Sequence, residues 1–246
     1  MKKTFVIAEA GVNHNGDPDL AFRLIDAASD SGADAVKFQI FNPKKLATKG
    51  AKKASYQKTL TDAKESHLEM LEKLVLSYKV YEDLAAHARA RNIEFFSTAF
   101  DKESLEFLVN SIGVKRLKIP SGEITNGPLL LAHANTQKKI IISTGMATIK
   151  EIKDALSVIA FGYIQNNSNE ILSKNDFNKA FKSKKAQKLL NDRLTLLHCT
   201  TAYPTLVEEV NLRAMKTILD NFRIDVGYSD HTLGFNISLA AVAMGA

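Results

Sequence analysis

The 246-residue chain has no tryptophan, a single cysteine and only five prolines. With Cys199 alone no internal disulfide forms, which excludes a fold held by crosslinks and sets the expected compartment as the reducing cytoplasm. No apolar run approaches the roughly 20 residues that a membrane-spanning helix needs, so no membrane partner is expected. The N-terminus opens with two lysines and a short apolar run, as a signal peptide does. That run is too short and Glu9 interrupts it, so it reads as a strand. Acidic residues are the minority, 27 against 33 Lys and Arg, for a net charge of +6. The excess gathers at Lys44, Lys45, Lys49, Lys52, Lys53 and Lys58, and again between Lys174 and Lys188. Neither cluster has the interleaved aromatic residues of a single-strand stacking platform, so both read as solvated faces and no nucleic-acid partner is expected. The basic charge still favours an acidic substrate.

What is present is ordinary for a globular protein: 45% hydrophobic and 24% charged residues, in a chain long enough for one large α/β barrel or two smaller domains. Short apolar, β-branched runs alternate with amphipathic stretches, the mark of βαβ units around a parallel sheet. Strands are predicted at Thr4–Ala8, Ala35–Ile40, Ile93–Thr98, Arg116–Ile119, Lys139–Ser143, Leu194–His198 and Asp225–Gly227. Asp17-Pro18 is an N-cap followed by proline and opens a helix over Asp19–Ser31, which Gly32 stops. Thr148 and Glu151 have capping-box spacing and open a helix to about Ile159. Further helices are expected near Tyr81–Arg91, Lys102–Ser111, Pro128–Asn135, Glu209–Asn221 and Ile237–Ala243. Seven strands alternate with helices, where a closed barrel of this type has eight. The expectation is an α/β fold of the TIM-type (β/α)8 barrel class, C-terminally incomplete; an open seven-stranded sheet is the alternative. Two segments interrupt the rhythm. Phe41–Ser77 is a long insertion after the second strand, of the kind that is functional or disordered. Gly162–Asp192 is rich in Asn, Ser and Lys, with a surface helix expected around Phe177–Leu190, and it is assigned no chemistry.

Barrel enzymes carry their chemistry at the C-terminal ends of the strands. There this chain places Glu9, Lys37 and Gln39, Ser97-Thr98, Lys118 with Ser121 and Glu123, Ser143-Thr144, His198 to Tyr203, and Ser229 to His231. A lysine inside an apolar strand is costly unless paired, so Lys118 and Lys37 each need an anion, supplied either by a ligand or by a neighbouring carboxylate. Strand lysines with hydroxyl groups form a plausible phosphate or carboxylate cradle. Glu9 and Glu123 either hold a polyol and handle protons or cap loops. His198 reads as a hydrogen-bonded core residue and Cys199 as a small buried one. His231, beside Asp230, fits a metal ligand better, although one histidine does not define a metal site.

In order along the chain, Ala8-Glu9-Ala-Gly-Val-Asn-His-Asn-Gly16, Val36-Lys-Phe-Gln39, Ser97-Thr98, Ile119-Pro-Ser-Gly-Glu123, Ile142-Ser-Thr-Gly-Met-Ala147, Leu197-His-Cys-Thr200, Tyr203-Pro204 and Gly227-Tyr-Ser-Asp-His231 resemble the sialic acid synthase family. Its members are the N-acetylneuraminate, legionaminate and pseudaminate synthases. Tyr56-Gln57 and Glu65-Ser-His-Leu-Glu-Met70 in the long loop look like the same family. The resemblance implies a transferase of sialic acid and related carbohydrate biosynthesis. It joins phosphoenolpyruvate (PEP) to the open-chain aldehyde of an N-acetylmannosamine-type sugar, giving a nonulosonic acid and phosphate. It implies a divalent metal, Mn2+ or Mg2+, that polarises the aldehyde oxygen. It places Lys37, Thr98, Lys118, Ser121, Ser143, Tyr203 and Ser229 around PEP, and Glu9, Gln39, Glu123 and Tyr203 towards the sugar. Glu9, Glu123 and Lys118 then act in catalysis and His231 binds the metal. The chain departs from the family at Thr201, where asparagine is common. On this resemblance, residues 1–246 are one incomplete barrel domain lacking the eighth strand, with its second metal histidine, and the C-terminal antifreeze-like domain that completes the site across a homodimer. A PEP-binding chain without turnover and a related PEP–aldose synthase are the alternatives.

Overall fold

The computed structural model describes residues 3–54, 57–58, 62, 65–165 and 172–246. Tyr56 and the 166–171 part of the second insertion lie outside the described residues. The strand order follows the chain, β1 to β7, and the fold is of the TIM-barrel class with seven β/α units. The chain divides into two compact units, Met1–Lys115 and Arg116–Ala246. No helix among the described residues is long and apolar enough to cross a membrane.

The first unit runs β1 (Ile7–Gly11), α1 (Pro18–Asp30), β2 (Ala35–Ile40), α2 (Pro43–Leu46), α3 (His67–Glu72), α4 (Tyr78–Ala90), β3 (Glu94–Ala99) and α5 (Lys102–Phe107), which continues into a π-helical turn over Leu108–Ile112. Asp17 caps α1 by accepting from the Asp19 and Leu20 amides, as Asp-Pro predicts. In β2 every residue but Gln39 is buried, as a strand covered on both faces must be. β1 begins three residues later than its apolar run suggests. Its neighbour β2 starts at Ala35, opposite Ile7; the Val6 carbonyl accepts from the Asp34 and Ala35 amides at that edge, and the Phe5 and Val6 side chains stay exposed. The long loop after β2 is built around its own small core. Phe41, Ala47, Met70 and Leu71 pack with Val12, Leu46, Ala51, Leu74 and Phe100, and a Ser66–Glu69 capping box starts α3.

The second unit runs β4 (Arg116–Ile119), α6 (Gly127–Asn135), β5 (Lys139–Ser143), α7 (Ile149–Ile164), α8 (Lys174–Lys182), α9 (Lys184–Arg193), β6 (Leu194–His198), α10 (Arg213–Phe222), β7 (Asp225–Tyr228) and α11 (Asn236–Ala243). β4 to β7 pair in parallel, each with the next. α7 extends to Ile164, past the expected end at Ile159. The polar second insertion supplies two helices in place of one, and their Ala180, Ala186 and Leu190 join the core of this unit. Phe177 meets Phe161 edge-on. α10 starts four residues later than expected because Asn211 takes a positive φ of 46° and breaks the helical path from Val207.

His133 is fully buried on α6, where its Nδ1 lies 2.8 Å from the Leu129 carbonyl. Burial pushes its pKa from 6.5 down to about 4. A depressed folded pKa means that the unfolded chain takes up the proton first. The stability from neutral His133 is therefore full above pH 6.5 and is lost as pH falls towards 4. Over that window it amounts to about 3 kcal/mol. Urea unfolding of wild type and His133→Gln at pH 7 and pH 4.5 checks this: the variant is expected to lose less stability on acidification. Equal losses contradict it.

Candidate active site

At the strand ends of the first unit, Glu9 and Lys37 stand opposite each other in the β1–β2 register, and Gln39 stands opposite Thr98 in the β2–β3 register. The Lys37 ammonium, 9% exposed in its side chain, forms an ion pair with the half-exposed Glu9 carboxylate. The anion that a strand lysine needs is thus supplied, in part, by the protein itself. A β-bulge between Glu9 and Gly11 turns the strand end, and Gly11 has φ +54°. A Cβ on Gly11 would lie 3.0 Å from Glu9 Oε1 and 3.5 Å from Gln39 Nε2, which places that carboxylate and that amide around one point. Thr98 and Ser97 are buried, and the Tyr81 hydroxyl donates to the Gln39 carbonyl, fixing the end of β2.

In the second unit Lys118, 6% exposed, donates from Nζ to Ser143 Oγ at 2.6 Å and to the Ile119 carbonyl at 2.9 Å. The Lys118 amine group, buried against a hydroxyl and a carbonyl, sits in a low-dielectric setting that strengthens the attraction between an ammonium and an anion. Ser121 opens a short 3-10 turn, Ser121–Glu123, directly after β4. Glu123 accepts from Asn126 Nδ2 at 2.7 Å, and Asn126 in turn caps α6, so the loop-capping reading of Glu123 has geometric support.

A third group forms at the ends of β6 and β7. The His231 ring lies against Tyr203, with centroids 4.2 Å apart. His231 Nδ1 sits 2.5 Å from the Thr200 carbonyl, a contact in which the imidazole donates its Nδ1 proton. Nε2 then carries the lone pair, 3.4 Å from Ser229 Oγ. This is the orientation that a metal-binding histidine adopts. Asp230, by contrast, is engaged. Burial raises its pKa, but hydrogen bonds from Ser238 and Thr232 outweigh that and hold the carboxyl below its usual range. Among the described residues no group of three His, Cys, Asp or Glu side chains is placed to hold a metal ion. His198 bonds to the Val210 carbonyl at 2.6 Å and Cys199 is buried, the structural roles expected for both.

Two features of the first unit have no counterpart in the reading of strand ends. His14 is fully buried, and its Nδ1 accepts from the Gly16 amide at 3.1 Å. Its proton is therefore on Nε2, which has no partner among the described residues, and burial lowers its pKa. Lys53 and Glu65, within the long loop, form a buried ion pair. Only the motifs around His14 and Glu65 mark these places in the sequence.

Parallel β/α units with polar groups at the strand ends define the chain as a TIM-type barrel protein. It belongs to the NeuB family, whose model matches residues 24–246. The chain is 51% identical over 246 residues to the N,N'-diacetyllegionaminic acid synthase of Campylobacter jejuni, covering all of this chain and 66% of that protein. It is 47% identical to the Legionella pneumophila protein of the same name, covering 98% of this chain and 61% of that one. The chain thus spans under two thirds of the length of these relatives. A crystal structure of the N-acetylneuraminic acid (sialic acid) synthetase of Leptospira borgpetersenii, in complex with citrate, superposes with a TM-score of 0.75 at 34% identity, covering all of this chain and 71% of that one.

Proposed function

We propose that the protein is a PEP-dependent transferase that condenses PEP with an open-chain 2-acetamido sugar of the mannose type, releasing phosphate and a nonulosonic acid. The observation that carries this is the buried Lys118–Ser143 donor pair at adjacent strand ends of a NeuB-family chain. The two legionaminic acid synthases among its relatives favour a diacetamido-trideoxy sugar as acceptor. In this reading Lys37, Thr98, Lys118, Ser121, Ser143, Tyr203 and Ser229 are the PEP contacts that the family resemblance implies. Glu9, Gln39, Glu123 and Tyr203 contact the sugar.

The PEP methylene carbon attacks the aldehyde carbon, and the aldehyde oxygen takes up a proton. Water adds at C2 of the cation so formed and loses a proton; the C2–OH so made gives up its proton to the departing phosphate as the C2–O bond to phosphate breaks, leaving the 2-keto group. The carboxylates of Glu9 and Glu123 handle these protons, and the Lys118 ammonium neutralises an anionic end of PEP. His231, through Nε2, would be a ligand of the divalent metal, which when bound would supply polarisation of the aldehyde oxygen. The intact protein, mixed with PEP, Mn2+ or Mg2+ and a panel of free and phosphorylated aldoses, tests the reading. Phosphate release that depends on an acetamido sugar is expected. Release with no acetamido sugar sinks it, and release with other aldoses alone points to a different PEP–aldose synthase. His231→Ala is expected to abolish metal activation; activation equal to wild type contradicts the metal role.

A further inference from the structure

We propose that Lys53 and Glu65 are positioning residues for Glu9, acting through the loop that joins β1 to α1. The inference rests on the reading above that Glu9 faces the acceptor sugar. Lys53 lies in a loop yet is only 6% exposed. Its Nζ donates to the Asp62 carbonyl at 2.5 Å and to Glu65 Oε1 at 3.2 Å. The other oxygen of Glu65 pairs with Lys73 Nζ, so one buried carboxylate ties together two lysines 20 residues apart. Lys73 is the residue that ends α3.

The brace reaches the strand end through backbone contact. A Cβ on Gly16 would fall 2.3 Å from the Lys73 carbonyl oxygen, so the β1–α1 loop rests directly on the end of α3. Gly16 has φ +78°, and its amide is tied to the buried His14, whose ring stacks on Phe38 of β2 at 6.1 Å. Successive turns, Asn13 to Ala10, Asn15 to Val12 and Asp17 to His14, make the loop a stiff unit. Val12 of that loop packs into the same small core as Met70 and Leu71 of α3, a second and apolar connection. The loop begins at the Glu9–Gly11 bulge, where a Cβ on Gly11 would lie 3.0 Å from the Glu9 carboxylate. A buried ion pair contributes little net stability, so its placement here is better accounted for by the geometry it imposes. That geometry is the position of the β1–α1 loop, and hence of Glu9.

The experiment uses the intact enzyme. Glu65→Gln keeps the side-chain volume and removes the charge between the two lysines. It is expected to raise KM for the acceptor sugar roughly tenfold, as small displacements of a substrate-facing group do, and KM for PEP clearly less, since Glu9 touches the PEP side only through its ion pair with Lys37. Lys53→Met is expected to act in the same direction, and Lys53→Arg, which keeps the charge, to restore most of the loss. Hydrogen–deuterium exchange at residues 11–16 is expected to quicken in Glu65→Gln. Parallel changes in both KM values, or no change, overturn the proposal, as does unaltered exchange at residues 11–16. If Lys53→Met fails to fold, Glu65→Gln decides. If wild type shows no condensation with any aldose, the functional reading falls while the exchange measurement still judges the brace.

Discussion

Lys118→Ala is expected to weaken PEP binding by more than tenfold. The ammonium is buried and already held by Ser143 and the Ile119 carbonyl, so it is immobilised before a ligand arrives. A charge-assisted contact from such a group contributes about 1.5–3 kcal/mol, which is more than a factor of ten in affinity. Calorimetric titration of wild type and variant with PEP, at fixed metal and salt, measures it. An unchanged dissociation constant contradicts the assigned role, because no other account of Lys118 makes it the anion-holding group of the second unit.

The largest effect on stability is expected at Gly16. Gly16→Ala forces a non-glycine residue to φ +78° and drives its Cβ to 2.3 Å from the Lys73 carbonyl, a backbone atom that cannot swing aside. The left-handed conformation costs about 1–2 kcal/mol and overpacking about 1–3 kcal/mol, for a total of about 2–5 kcal/mol. Gly32→Ala is the control. Gly32 has φ +75°, close to that of Gly16, but nothing lies within 4 Å of its Cβ position, so only the backbone cost applies. Urea unfolding of both variants separates the two contributions. A Gly16→Ala loss no greater than that of Gly32→Ala contradicts the close approach of the β1–α1 loop to Lys73, and with it the basis of the brace.

Most of the fold is legible because buried parallel strands and capped helices have local signatures. β2, β4, β5 and β6 lie where their apolar runs put them, and Asp17 and Thr148 cap the helices that follow them. The misreadings have tertiary causes. Phe5 and Val6 look like strand residues, but pairing stops where β2 does. Asn211 breaks a helical pattern by its backbone angle, which composition does not show. The polar composition of the second insertion hides Ala180, Ala186 and Leu190, which are core residues.

At the site, the need of two strand lysines for partners is readable from burial alone. Which partner each finds is not: Glu9 reaches Lys37 through register, and Ser143 reaches Lys118 from a different strand. The tautomer of His231 depends on the Thr200 carbonyl, 31 positions away, and the Lys53–Glu65 pair sits in a loop with no periodicity to reveal it.

In the proposed condensation PEP carbon bonds to the aldehyde and phosphate departs from C2. PEP carrying oxygen-18 in its C2–O–P bridge, incubated with the intact protein, metal and a diacetamido sugar, tests this directly by mass spectrometry of both products. The account predicts a nine-carbon 2-keto acid and phosphate that retains the label. Unlabelled phosphate, or labelled phosphate formed equally well without the sugar, would contradict it.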